Sequence, residues 1–365
     1  MVTPFLELAV GCSVLLTLHS LINGKFFLLT TNVTNKSSAD FDILIPARNE
    51  ERNIKDCVTS AVAQLVSSKS QVLVMDDNST DNTSSILESL ASDSVKIFHN
   101  EQIPPAGWLG KNWACHQLSE HTKAEYLVFI DADVVLNPAV VPQVIGVMQK
   151  YSLDLVSPYP RQVTKGILGK LIQPLLQWSW LTTVPLRIAR KSRRTSFAVA
   201  NGQFMVVNRQ AYLACQGHLS VKAEVLDDIE LLRSLLKHGF NGSVIDGTNL
   251  AACTMYQNGR ELIDGYSKSL WCAFGGPLGS IASLGFLTFV YIAPLLGLFN
   301  NQVELALTGW LSGCAGRLIV GRRTGQSNLG TALLHPLSIA CFVYLNLVSW
   351  SRHIRGELVW KGRAL

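Results

Sequence analysis

Between residues 41 and 130 the chain alternates short apolar runs with stretches in which apolar positions recur every three or four residues. Phe41–Pro46, Gln71–Met75, Val95–Phe98 and Tyr126–Ile130 are short, rich in β-branched and aromatic residues, and bounded by polar ones, a pattern that predicts buried strands. Between them Ile54, Val58, Ala61, Val62 and Leu65 fall at helical spacing, and further helices are expected from Thr80–Thr83 to Leu90 and over Lys111–Ser119. Alternation of this kind predicts an α/β fold, a doubly wound, Rossmann-like unit with a mostly parallel sheet. A later helix should open at Asp227-Asp228, present Leu231, Leu232, Leu235 and Leu236 on its apolar face, and stop at Gly239.

Other apolar runs are too long for this pattern. Residues 1–30 carry Leu6–Leu18 and Leu21–Leu29, enough to span a bilayer, and no Lys or Arg precedes Lys25, unlike a cleaved signal peptide. With Lys25 and Lys36 on its C-terminal side, this transmembrane helix should leave the following domain in the cytosol, after a polar linker over 31–40. Residues 276–350 hold three further membrane candidates, Pro277–Phe299, Val303–Val320 and Ala332–Trp350. Three true spans would put the basic tail, 351–365, outside. A re-entrant or interfacial hairpin over Ala332–Trp350 keeps it in the cytosol and predicts a multi-pass protein with its catalytic domain facing that side.

Composition agrees: 48% of the 365 residues are hydrophobic and only 16% charged, as for a globular domain with membrane segments attached. Eight cysteines are scattered without a C-x-x-C pair or zinc spacing, so they read as reduced, buried small hydrophobes. Much of the net charge of +5 sits in Arg187–Arg194, directly after the uncharged run Leu171–Leu186. Residues 171–194 are thus expected to dock on an anionic leaflet, and no nucleic-acid partner is expected.

Candidate chemistry lies at the C-terminal ends of the strands, where an open α/β sheet places its ligands. Pro46-Ala-Arg48-Asn-Glu50 follows the first, Asp76-Asp77-Asn-Ser-Thr-Asp the second, and Asp131-Ala-Asp133 the fourth. No G-x-G-x-x-G follows the first strand, and Gly107-Trp-Leu-Gly110-Lys111-Asn has the wrong spacing for a phosphate-binding P-loop. Two carboxylates separated by one residue would repel unless a cation joined them, and oxygen-only ligation suits Mg2+ or Mn2+. By themselves Asp133 could cap a helix, Asp76 and Asp77 could form a capped turn, Asp227 and Asp228 could be helix-capping acids, and Lys111 a surface lysine.

Together, and in this order, the three turns resemble the GT-A fold of family 2 inverting glycosyltransferases over about residues 41–275. Gly107-Trp-Leu-Gly-Lys111, Asp227-Asp228 and Trp360-Lys-Gly-Arg363 are similar to those of membrane-bound members that glycosylate carotenoids and hopanoid-like lipids. The resemblance implies that Pro46, Arg48 and Glu50 flank the nucleoside and that Asp76 or Asp77 accepts from the uracil imide. It places Lys111 and Asp131 at the diphosphate, and Asp133 with Asp131 at the metal. It makes Asp228 the general base with Asp227 secondary, although the family's usual pair there is Glu-Asp. Gln203 lies on the acceptor-side strand. The Gln-x-x-Arg-Trp motif of processive members is absent, which argues for single addition, with Arg260 and Lys268 as possible replacements at the diphosphate.

The expected activity is inverting, metal-dependent transfer of one sugar from a nucleotide sugar, UDP-linked, to a membrane-lipid hydroxyl. A hydroxylated carotenoid is the first choice, with a hopanoid, glycerolipid or polyprenyl phosphate as alternatives. A sugar nucleotidyltransferase should instead carry a Gly-rich basic loop after the first strand. A non-enzymatic membrane carrier or scaffold would not need acids at three strand ends and a helix start.

Overall fold

The computed structural model describes residues 2–27, 37–65, 69–100 and 103–364, so 31–36 of the expected linker and 28–30 of the first apolar run lie outside it. The chain divides into two compact units, Phe27–Arg161 with Arg187–Thr254, and Met1–Phe26 with Gln162–Leu186 and Met255–Leu365. The catalytic span read as continuous over 41–275 is therefore interrupted, because 162–186 and the residues from 255 onward pack with the terminal helices.

In chain order, α1 (Val2–Phe26) opens the helical unit, and the α/β unit follows with β1 (Phe41–Ala47), α2 (Ile54–Val62), β2 (Val72–Asp76), α3 (Thr83–Leu90), β3 (Val95–His99), α4 (Gly110–Glu120) and β4 (Tyr126–Ile130). After β5 (Val134–Leu136), α5 (Val141–Tyr151) and β6 (Leu155–Gln162), the chain makes α6 (Gly166–Ile172) and α7 (Pro174–Thr183) of the helical unit. It returns through α8 (Leu186–Ala189) to β7 (Phe204–Asn208), α9 (Arg209–Ala214), α10 (Asp227–Lys237) and β8 (Gly242–Cys253).

The eight strands form one sheet in the order β3-β2-β1-β4-β7-β6-β8-β5. The first four are mutually parallel, as expected; β2 and β4 are buried at every position, the signature of strands covered on both faces. Beyond β4 the sheet is mixed: β7 runs antiparallel to both β4 and β6, and β5 antiparallel to β8. This arrangement positions the site. Because β7 is reversed, its N-terminal approach lies at the same edge as the C-terminal ends of β1, β2 and β4, and the Asp131 N–H donates to the Gln203 carbonyl at 3.1 Å. Under that edge Leu231, Leu232 and Leu235 of α10 pack with Ala114 and Leu118 of α4 against Leu44, Phe129 and Met205, fixing both helix starts.

The helical unit continues with α11 (Gly259–Ser267), α12 (Pro277–Tyr291), α13 (Val303–Arg323), α14 (Leu329–Leu333), α15 (His335–Ile354) and the hairpin β9 (Val359–Trp360) and β10 (Arg363–Ala364). Among the described residues three helical stretches are long and apolar enough to cross a membrane: Thr3–Phe26, Pro277–Phe299 and Val303–Arg323. Bonds from Ser13 to the Gly309 carbonyl, Thr17 to that of Ser312, and Arg323 to that of Gly24 advance together along α1 and α13, so these helices run parallel. They approach closely because α13 presents glycines: a Cβ on Gly316 would lie 2.9 Å from the Thr17 hydroxyl. Phe5 packs against Phe289 at 4.9 Å, which makes α12 antiparallel to α1.

The last apolar run behaves differently. Trp310 donates to the Leu333 carbonyl at 2.9 Å and His335 covers Gly313, so α15 begins beside the middle of α13. It ends near the start of α12, where Trp350 donates to Ser280 at 3.0 Å. Residues 324–354 thus turn back along α13 and return. The apolar run 171–186, expected on a leaflet, is instead largely buried within this unit, with Trp178 3% and Trp180 9% exposed. An uncharged stretch can be sheltered by helices as well as by lipid, and here the helices take it. Arg187, Lys191, Arg193 and Arg194 remain exposed.

Candidate active site

The turns after β1 and β2 are tied into one ledge. Arg48 donates to the carbonyls of Asp77 and Asn78 at 2.5 and 2.7 Å, and the N–H groups of Asn49, Glu50 and Glu51 go to Ser79, Thr83 and Asp81. Asn49 bends at φ +52° and accepts from Thr80 N–H, a conformation asparagine tolerates well. Arg48 is thereby committed to holding the ledge. The two acids there also separate in role: Asp76 accepts from Ser79 through one oxygen and from the Ser84 hydroxyl through the other, so its carboxylate ties the turn to the first turn of α3. Asp77 follows it, also buried, with its N–H on the Ala47 carbonyl.

Deeper along the edge, Lys111 in the first turn of α4 joins acids from two elements. Its Nζ lies 2.9 Å from Asp131 Oδ1 and 3.7 Å from Asp227 Oδ2. Burial opposes its charge, yet Asp131 and Asp227 outweigh burial and hold the ammonium well above its usual range. Asn112 reinforces the position by donating to the carbonyls of Val221, Lys222 and Glu224, which clamps the segment leading into α10.

Asp228 is strongly altered by this environment. Burial first, then the neighbouring Asp227, raises its pKa from 3.8 to about 6, against the lowering pull of Lys111 and of N–H bonds from Ile229 and Gly202. Those two bonds are 2.8 and 2.7 Å long and fix both carboxylate oxygens. Asp227 faces His218 at 3.9 Å, but burial and Lys111 push that imidazole down to about 3, so it stays neutral and forms no ion pair.

Residues 42–213 match the sequence model of Glycosyl transferase family 2. Residues 42–213 form a family 2 glycosyltransferase domain. The chain is 28% identical to 4,4'-diaponeurosporenoate glycosyltransferase of Staphylococcus aureus strain RF122, over 94% of this chain and 93% of the relative. The strain N315 protein of that name matches at the same identity and coverage. Among solved structures, the mannosyltransferase PcManGT of Pyrobaculum calidifontis, in complex with GDP-Man and Mn2+, shares the fold at a TM-score of 0.52 and 14% identity, covering 97% of this chain and 98% of its own.

In this glycosyltransferase the Asp131–Asp133 turn is flanked by features the sequence did not mark. Two buried thiols, Cys57 and Cys253, stay protonated because burial, reinforced by the charges of Asp133, Asp131 and Glu50, raises both well above the usual range. Asp131 and Asp133 offer carboxylate oxygens at this turn, donors that suit a hard divalent cation completed by substrate phosphates. Among the described residues no group of three or more His, Cys, Asp or Glu side chains could hold a metal ion.

Other expected positions lie differently. Gln203 is 3% exposed and donates to Cys253 Sγ at 3.1 Å, while Asn201 accepts from the Gln203 N–H, so these amides support the backbone leading into β7. Arg260, exposed in the first turn of α11, and Lys268, its C-cap, belong to the helical unit. His218, Asn112 and the two cysteines escaped the sequence reading because nothing near them in the chain repeats or pairs; only packing brings them to the acids.

Gly202 has a function beyond permitting close approach. Its N–H holds Asp228, and a Cβ there would lie 3.0 Å from Lys111 Nζ and 3.4 Å from Asp228 Cβ. The ammonium is the flexible partner and would shift by a few tenths of an ångström. Gly202→Ala is expected to fold with a near-wild-type melting temperature and to lose about tenfold in kcat/KM, about 1.4 kcal/mol of transition-state stabilisation. Steady-state kinetics beside a melting curve checks this, and an unchanged rate would show that the Lys111–Asp228 geometry is not rate-determining.

Proposed function

We propose that the protein is an inverting glycosyltransferase that moves one sugar from a UDP-linked donor to a hydroxyl of a membrane lipid, a hydroxylated carotenoid by preference. The observation that carries this reading is the juxtaposition of a half-buried carboxylate of raised pKa, Asp228, with a lysine, Lys111, tied to Asp131. The pair offers a proton acceptor next to a cation suited to diphosphate, the two charges a single displacement requires.

In the proposed reaction Pro46 and Glu50 border the nucleoside, and Asp77 accepts from the imide N–H of uracil, an edge that a carboxylate selects. Asp76 and Arg48 keep that turn in shape. Lys111 faces the diphosphate and offsets its growing charge as the glycosidic bond lengthens. Asp228 takes the proton of the acceptor hydroxyl, whose oxygen attacks the anomeric carbon from the face opposite the departing diphosphate and so inverts it. Asp227 holds Lys111 in reach. Asp133, with Asp131, would hold Mg2+ or Mn2+, which when bound supplies further neutralisation of the leaving nucleoside diphosphate. Gln203 is proposed as a support of the acceptor strand.

The catalytic unit is proposed to face the cytosol, where nucleotide sugars are made, with α1, α12 and α13 in the membrane. Support comes from Lys25, Arg322 and Arg323 at corresponding ends of the parallel helices α1 and α13. The S. aureus relatives are named for a carotenoid carboxylate, and that acceptor class is the second reading. A carboxylate is already ionised at neutral pH and needs no base, so Asp228 favours the hydroxyl.

The test is incubation of membranes carrying the protein with labelled UDP- and GDP-sugars and with carotenoids ending in hydroxyl or carboxyl, with and without chelator. With a hydroxyl acceptor, kcat/KM should fall about tenfold per pH unit below an acid limb near 6, the pH at which Asp228 gains its proton. A flat profile from pH 5 to 8 would remove Asp228 as base, and transfer indifferent to chelator would remove the metal.

A further inference from the structure

The helical unit contains a polar cluster that sugar transfer does not use. Arg317, on α13, is 5% exposed; its Nη2 donates to the carbonyls of Lys170 and Leu171 at 2.9 and 2.8 Å, and its Nη1 has no protein partner. Among the described residues Arg317 has no acidic counterpart. Gln173, the N-cap of α7, and Gln177 within it are each 1% exposed, lie one turn apart on one face, and have both amide atoms unpartnered. The Gln173 N–H bonds back to Gly169, which keeps it beside the two carbonyls that Arg317 grips.

The far wall is aromatic. Trp178 packs edge-on to Tyr291 at 5.2 Å and to His335 at 4.7 Å, and Tyr291 to His335 at 4.8 Å. His335 is fully buried, with neither ring nitrogen partnered, and covers Gly313, one turn before Arg317. Arg317 lies six residues before Arg323, about 9 Å along the axis from the end of α13, the depth of a lipid head group or just below it.

A buried guanidinium without a counter-charge costs several kcal/mol, and a polar residue within a membrane bundle marks a ligand path more often than a packing element. A neutral sugar or alcohol would satisfy the amides and leave the charge. An anionic oxygen group answers the charge and also accepts from the amide N–H groups, since guanidinium and amide N–H groups are donors. Trp178 and Tyr291 supply an apolar wall on which a hydrocarbon chain can lie.

We propose that Arg317, Gln173, Gln177 and His335 form a binding site for the anionic head of a lipid, a carboxylate or a phosphate attached to an apolar chain. The site stands independently of the transfer reaction.

The experiment uses the full chain, purified in neutral detergent for palmitate against hexadecanol and in nanodiscs for phosphatidylglycerol against phosphatidylcholine, with binding read by native mass spectrometry and thermal shift. Tighter binding of palmitate than hexadecanol by tenfold or more assigns the site to carboxylates. Retention of phosphatidylglycerol alone assigns it to phosphates, and either result supports the proposal. Arg317→Met should abolish the preference, Arg317→Lys should keep most of it, and Gln173→Leu with Gln177→Leu should weaken it. If Arg317→Met does not fold, the wild-type acid-against-alcohol comparison and Arg317→Lys still decide. Equal binding of charged and uncharged probes, or a preference unchanged in a folded Arg317→Met protein, would overturn the site. Sugar transfer enters neither readout, so failure here leaves the proposed reaction untouched.

Discussion

Replacing Asp228 with asparagine is expected to slow transfer by about 10³-fold while leaving the melting temperature at pH 7.5 unchanged or raised. The two effects have one cause. Burial and Asp227 lift the folded-state pKa of this carboxyl from 3.8 to about 6, so at neutral pH the folded chain carries a charge its surroundings disfavour. The proton is held more tightly in the folded than in the unfolded state. Stability therefore falls as pH rises from the unfolded value to about 6 and stays lowered above it, by up to about 3 kcal/mol. Asparagine removes that cost, and its single acceptor oxygen serves either the Gly202 or the Ile229 N–H, forfeiting about 1 kcal/mol. The stabilisation should shrink as the melts move toward pH 4. A variant that is both inactive and markedly destabilised at pH 7.5 would make Asp228 a structural cap of α10, not a base under strain.

The second large effect concerns Asp133 and Asp131, whose variants should differ in kind. Asp133→Ala is expected to reduce transfer by at least about 10²-fold and to abolish stimulation by added Mn2+, leaving the acid limb where it was. Asp131→Ala should match that loss and also release Lys111 from its 2.9 Å partner, leaving the ammonium to Asp227 and Asp228. A cation nearer Asp228 lowers that pKa, so the residual activity should show its acid limb below 6. Mn2+ titrations and pH profiles of both variants distinguish the two acids. Identical behaviour would mean that Lys111 does not discriminate between them.

The parts of the site legible in the sequence are those where chemistry is concentrated in a few adjacent residues at a strand end or helix start. Asp131-Ala-Asp133 and Asp76-Asp77 are of this kind, and so is Asp227-Asp228, for which the apolar spacing of Leu231, Leu232 and Leu235 announces a helix beginning at the acids. What could not be read is how the carboxylates divide the work. Asp76 and Asp77 are chemically alike in sequence; only the hydroxyls of Ser79 and Ser84 commit Asp76 to the turn. The same limit applied to the antiparallel half of the sheet, because Leu155–Gln162, with Pro158 and Pro160, offers neither an apolar run nor a clean alternation.

Local pattern determined the four parallel strands, the helices between them, the apolar runs long enough for a membrane and the identity of the acids, since each depends on residues within a few positions of one another. Tertiary structure alone decided the rest. Reversal of β7 brings Gly202 to Asp228, α4 delivers Lys111 to Asp131, and Cys57 of α2 and Cys253 of β8 converge on Asp133. The apolar run 171–186 was buried among helices by the same logic, because hydrophobicity specifies that a segment leaves water and not which apolar partner receives it.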